Sequence, residues 1–149
     1  MYKIPELYDL QHTQASDYLS KFTYPWEALK GIKELILQLG ETLNKDDFLE
    51  LAPTVWVHKT AKVAPSAYLG APCIIGAGTE VRHCAFIRGS ALVGEGCVVG
   101  NSVELKNVIL FDKVQVPTTT MWATASLATS PIWAQALLPP MSNPISLWW

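Results

Sequence analysis

From Val57 onward, large apolar residues recur every six positions: Val57, Val63, Leu69, Ile75, Val81, Ile87, Val93, Val99, Leu105 and Phe111. A second series starts two places earlier and is mostly small: Val55, Ala61, Ala67, Cys73, Thr79, Ala85, Ala91, Cys97, Val103 and Ile109. A fixed period held this long marks a repeat architecture, and neither a helix nor an ordinary hairpin has a period of six. A short strand and a tight bend use six residues for one side of a triangular coil. Three sides make an eighteen-residue turn, and each turn stacks about 4.8 Å above the last by parallel pairing. The pattern predicts that the aliphatic residue fills the interior and the small one sits near a corner. Gly70, Gly76, Gly94 and Gly100 directly follow aliphatic residues and are predicted to supply the bends.

Before the repeat, residues 1–50 read as a helical arm. "PWEALKGIKELILQLG" opens with Pro25, which suits a first helical turn. Leu29, Ile32, Ile36 and Leu39, with Leu35 beside them, form one apolar stripe. Gly40 is the expected C-terminal stop. Glu27 and Glu34 offset Lys30 and Lys33, so the helix lacks the basic face of a membrane-surface helix and reads as a packing element.

Composition narrows the function classes. Half of the 149 residues are hydrophobic, enough for one domain with an arm. A net charge of −2 and a pI near 5.9 give no basic surface for nucleic acid. The three cysteines form no C-x-x-C pair, and "MYKIPELYDLQHTQ" has no apolar signal core. A cytoplasmic location is the expectation.

Polar residues that intrude on the repeat are the functional candidates. After the aliphatic position stand His58, Arg82, Arg88 and Lys106. Arg88 and Lys106 are eighteen apart, so the period predicts that they stack at one corner of neighbouring coils. Two readings are open. Both face water, or Glu104 neutralises one of them; alternatively, guanidinium and ammonium together hold a phosphate or diphosphate. His58 and His83 are the only histidines in the repeat, too few for a three-histidine metal site, and read as surface residues. Cys73 and Cys97 fall at small inward positions, and Cys84 has no basic partner in prospect.

With these residues in view, residues 53–117 resemble the hexapeptide-repeat transferases. That likeness implies an all-β solenoid, a left-handed parallel β-helix. "CAFIRGSALVG" followed by "CVVGNSVELKNVIL" is similar to the glucosamine-1-phosphate acetyltransferase domains that serve UDP-N-acetylglucosamine synthesis, and to nucleotidyltransferase-like relatives with a helical arm before the coil. The resemblance implies that Arg88 and Lys106 contact a sugar phosphate or nucleotide sugar. It also implies a homotrimer with the pocket between subunits, and acetyl-CoA as the cosubstrate of a complete relative. Gly89-Ser90 stands where that family has Pro-Gly.

Beyond Pro117 the text changes. Residues 118–149 contain no Asp, Glu, Lys or Arg and hold four of the six tryptophans. Met and Trp have one codon each, so Met121-Trp122-Ala123 read one base earlier must give Val-Gly. The shifted text permits H-Y-N-Y-V-G-D, the form in which the resembled family carries its catalytic histidine. "PIWAQA" likewise permits H-M-G-A-G. Residues 118–149 are therefore expected to be an out-of-frame tail, irregular and without the catalytic base or the coils that hold acetyl-CoA. The competing reading is a genuine interface or membrane tail. Residues 121–138 are only moderately apolar and carry Pro131, against the roughly 20 apolar residues a span needs. The expected organisation is an arm at 1–50, a coil at 51–117 and a tail at 118–149. The expected function is a sugar-phosphate acyltransferase-like chain that transfers little or no acetyl group and has no cofactor of its own. A non-enzymatic assembly or binding module and a nucleotidyltransferase-associated domain are the alternatives.

Overall fold

The computed structural model describes residues 3–116, 121–123 and 127–128. The arm comprises α1 (Ile4–Leu7), α2 (Ser16–Leu19) and α3 (Ile32–Thr42), with short 3-10 turns at Leu10–His12 and Pro25–Gly31. The strands are β1 (Phe48–Ala52), β2 (Val55–His58), β3 (Lys62–Val63), β4 (Tyr68–Leu69), β5 (Cys73–Ile75), β6 (Glu80–Val81), β7 (Phe86–Val93), β8 (Val98–Val99), β9 (Glu104–Leu110), β10 (Gln115–Val116), β11 (Met121–Ala123) and β12 (Leu127–Ala128).

From β2 onward the strands form three parallel stacks, one per side of a β-solenoid of about three turns. The first stack holds β2, β5, the second halves of β7 and β9, and β12. The second holds β3, β6, β8 and β10. The third holds β4, the first halves of β7 and β9, and β11. Val55 pairs with Cys73, Lys62 with Glu80 and Tyr68 with Phe86, each eighteen residues on. The inward aliphatics Val81, Ile87, Val93, Val99 and Leu105 are buried, as are the small residues Ala85, Ala91 and Cys97. Hydrophobic filling and a continuous backbone ladder together hold the coil. The expected boundary at 117 lies outside the described residues; beyond it β11 and β12 add to β9.

Three local expectations are corrected. First, none of Gly70, Gly76, Gly94 and Gly100 has positive φ. The bends fall two residues later, where Gly78, Cys84, Ser90, Gly96 and Ser102 have φ between 51° and 64°. The glycines answer a different need, the close stacking of successive corners: a Cβ on Gly76 would lie 2.4 Å from the carbonyl oxygen of Gly94. Second, the six-residue rhythm slips once. The next positive-φ residue after Ser102 is Asn107, five on, and Lys113 follows six later. The register drops to seventeen, so Leu110 rather than Phe111 pairs with Val93. Phe111 is buried against the arm instead, 5.6 Å from the ring of Tyr8.

Third, the helix predicted from Pro25 to Leu39 is a 3-10 turn followed by α3, and it runs past Gly40 to Thr42. Gly40 is a packing position rather than a stop: a Cβ there would lie 2.2 Å from the Trp56 ring. The predicted stripe is otherwise in place, with Ile32, Leu35 and Ile36 buried. It rests on the outer face of the first stack, across β5, β7 and β9. Ile74, Leu92 and Ile109, whose neighbours in the strand point into the coil, are 0 %, 2 % and 0 % exposed. The arm also holds the last coil: Asn107 Nδ2 donates to the Leu29 carbonyl at 3.2 Å, and Asp112 N–H to that of His12 at 2.9 Å. β1 pairs antiparallel with β2 and closes one edge of the first coil. Among the described residues no helix is long and apolar enough to cross a membrane.

Candidate functional site

Arg88 and Lys106 lie where β7 and β9 turn from the third stack into the first. The period calls for Arg88 directly over Lys106. The pairing runs Phe86 with Glu104, Ile87 with Leu105, and then Gly89 with Lys106. Arg88 is therefore the extra residue of a bulge, displaced one place from the expected register. Its cause is the five-residue step from Ser102 to Asn107, which shortens that coil by one. The two cations still share one corner of neighbouring coils. Bulges of this kind re-aim a side chain away from the ladder.

The backbone of this corner is unusual. Gly89 has φ 126° and Ser90 has φ 51°, while on the next coil Asn107 has φ 50°. A Cβ at Gly89 would lie 2.5 Å from the Ala71 carbonyl oxygen of the coil before, so the residue after Arg88 must be glycine.

Arg88 Nη1 donates to Glu104 Oε1 at 2.8 Å, and its guanidinium carbon lies 6.0 Å from the Phe86 ring centre. Glu104 thus occupies one edge of the guanidinium, and among the described residues no other side chain takes its remaining N–H groups. Lys106 is exposed and makes no ion pair among the described residues. The trio carries one net positive charge on an open surface, where water and salt screen it strongly.

The other intruding side chains go elsewhere. Arg82 Nε donates to Glu80 Oε1 at 2.8 Å, His58 Nδ1 lies 2.8 Å from Thr60 Oγ1, and His83 Nδ1 lies 3.1 Å from Ser66 Oγ. The described residues hold no group of three or more His, Cys, Asp or Glu able to take a metal ion. Burial pushes the Cys73 thiol up to about 12 and the Cys97 thiol up to about 11, so neither acts as a nucleophile near neutrality. Cys84 is exposed. A hollow of about 590 Å³ lies along α1, lined by Glu6, Tyr8 and Leu10 among others. A smaller one of about 230 Å³ is lined by Lys62, Glu80, Arg82 and His83. Neither reaches Arg88 or Lys106.

The eighteen-residue period places Arg88 and Lys106 at one corner, with Glu104 near them, but not the one-residue bulge that offsets Arg88. Its one textual signal was Asn107, a residue that tolerates positive φ, five places after Ser102 instead of six. No protein-family model and no curated protein matches the chain.

Proposed function

We propose that this chain is a left-handed β-helix of hexapeptide repeats, and that its Arg88–Lys106 corner binds the phosphate of a sugar phosphate or nucleotide sugar. The observation that carries the reading is an open ammonium beside a guanidinium that one carboxylate holds by a single edge. A phosphate dianion bridging Lys106 and the open N–H groups of Arg88 forms charge-assisted hydrogen bonds to both. Glu104 fixes the guanidinium plane and, being anionic, limits affinity.

Acyl transfer to such a sugar needs a base near the attacking amine and a cradle for acetyl-CoA. The chain has no histidine after His83, and His58 and His83 are engaged away from the corner. Among the described residues neither hollow reaches the corner and no histidine stands at it, so no transfer step is assigned to them. The reading is of a cytoplasmic, trimeric binding remnant of the acyltransferase type, its text beyond Pro117 out of frame. The Arg88–Glu104 pair also favours a second reading, a non-enzymatic assembly module in which both side chains are structural.

Calorimetric titration of the full chain with glucosamine-1-phosphate, inorganic phosphate and glucosamine separates the two. Phosphate-dependent binding that falls about tenfold in R88A and in K106A, about 1.4 kcal/mol each, supports the site. Absent binding, or binding indifferent to both substitutions, overturns it. Release of thiol from acetyl-CoA that depends on Arg88 would overturn the inactive reading.

A further inference from the structure

The first coil is unevenly closed. β1 adds a strand below β2 on one side, whereas among the described residues β3 pairs only with β6, and β4 only with β7. Leu49 lies opposite Val57, whose side chain points into the coil, so Leu49 faces the same way, over the open end. Leu49 is 55 % exposed, and Leu51, at the irregularity that follows, is 60 % exposed. Val63 of β3 is half-buried, whereas Val81 one coil on is buried. Among the described residues, the end of the solenoid is thus a half-finished rung, with apolar side chains inside and an unpaired strand edge beside them.

We propose that two copies of this chain join end to end, β1 of each pairing along the free edge of β3 of the other. A two-fold axis perpendicular to the solenoid and passing through the third side exchanges the first and second sides. Each extra strand then lies over the side where the other copy lacks one. The same axis keeps the hand of the coil but reverses the direction in which the second copy's strands run around it, seen from the first. β1, which runs against its own coils, then runs parallel to β3 of the second copy, the pairing used throughout the stacks. An interface of this symmetry is self-complementary and closes.

Charge favours a second copy as the occupant. Glu50 pairs with Trp56, whose ring packs outside the coil, so Glu50 faces outward, as does Lys62 on β3. Glu80, the strand partner of Lys62, is held by Arg82, and Lys62 has no carboxylate within 4.0 Å among the described residues. Glu50 Oε1 accepts the Thr54 N–H at 2.9 Å, leaving Oε2 for the Lys62 of a second copy. Leu49 and Leu51 meet Val63 of that copy on the inner side.

Sedimentation equilibrium of the full-length chain tests this. The assembly mass is expected to halve in L49K/L51K with the circular dichroism spectrum unchanged, because both side chains are exposed. K62E is expected to weaken association about tenfold at low salt, and adding E50K to restore it. Zero-length carbodiimide treatment of mixed isotope-labelled and unlabelled chains should give Glu50–Lys62 peptides that join the two. A mass unaffected by L49K/L51K overturns the proposal, as does failure of E50K to rescue K62E. So does an assembly that survives those changes and dissolves when residues 129–149 are deleted, since the tail would then be its cause.

Discussion

Thr79 occupies a small inward position of the repeat with no exposure, and its hydroxyl is satisfied on both sides. Oγ1 donates to the Gly94 carbonyl at 2.7 Å and accepts the Cys97 N–H at 3.1 Å, tying two coils together. Valine has the same shape but leaves both backbone groups unpaired. Thr79→Val is therefore expected to cost about 1–3 kcal/mol, read as a lower urea midpoint. The neighbouring thiols give a pH dependence. Burial holds the Cys73 and Cys97 protons in the folded chain past 9.0, where unfolded cysteines ionise. Above that pH the unfolded chain binds fewer protons than the folded one, so stability falls as pH rises. The slope reaches at most about 1.4 kcal/mol per pH unit for each thiol. Urea midpoints between pH 8 and 10 should show the fall, and C73A/C97A should flatten it. In the native chain iodoacetamide is expected to modify Cys84 alone, with all three thiols reacting in urea.

At the scale of elements, α3 is set by its contact with the solenoid rather than by its own ends. Replacing Gly40 with alanine improves intrinsic helix propensity by about 1 kcal/mol. The added Cβ nevertheless meets the Trp56 ring, and such overpacking costs about 1–3 kcal/mol. Gly40→Ala is expected to lower the thermal midpoint when Trp56 is present, and to leave it unchanged or raise it when made in a W56A chain, where only the helix propensity changes. This contact also shows why the arm was only half legible. Period and burial of Ile32, Leu35 and Ile36 follow from one stripe, which sequence displays. The role of Gly40 depends on a ring sixteen residues on, which it does not. The coil was legible for the opposite reason: each inward residue meets its own repeat, so the pattern states the packing. Trp56, Ile74 and Leu92 are eighteen apart and mark the face beneath α3, yet an inward-only reading passes over them because a helix must be known to cover them. The site stood between these cases. Arg88 and Lys106 were visible as intruders, but one missing residue between Ser102 and Asn107 moved their register.

For the whole molecule, α3 covers the outer face of the first stack and not, among the described residues, the other two sides. Lys62, Glu80, Val98 and Gln115 line the second side, and Tyr68, Phe86 and Glu104 the third. A trimer about an axis along the coil must use those sides or the corner between them. Charge reversal at Glu104 is therefore expected to alter lateral assembly as well as phosphate affinity, whereas substitution of exposed Lys33 on α3 should alter neither. Parallel runs of light scattering and titration on E104K and K33E would check this.

The clasp between arm and last coil sets an order of events during synthesis. His12 and Leu29 leave the ribosome before their partners Asp112 and Asn107, which emerge 100 and 78 residues later. Stack upon stack is laid down from Val55 while the arm waits, its stripe bare, for the chain to come round. Such a long closure is slow, and in the interval the waiting helix is the natural foothold for a chaperone. Nascent chains halted before Asn107 should lose the arm to brief proteolysis, and those that have exposed Asp112 should keep it.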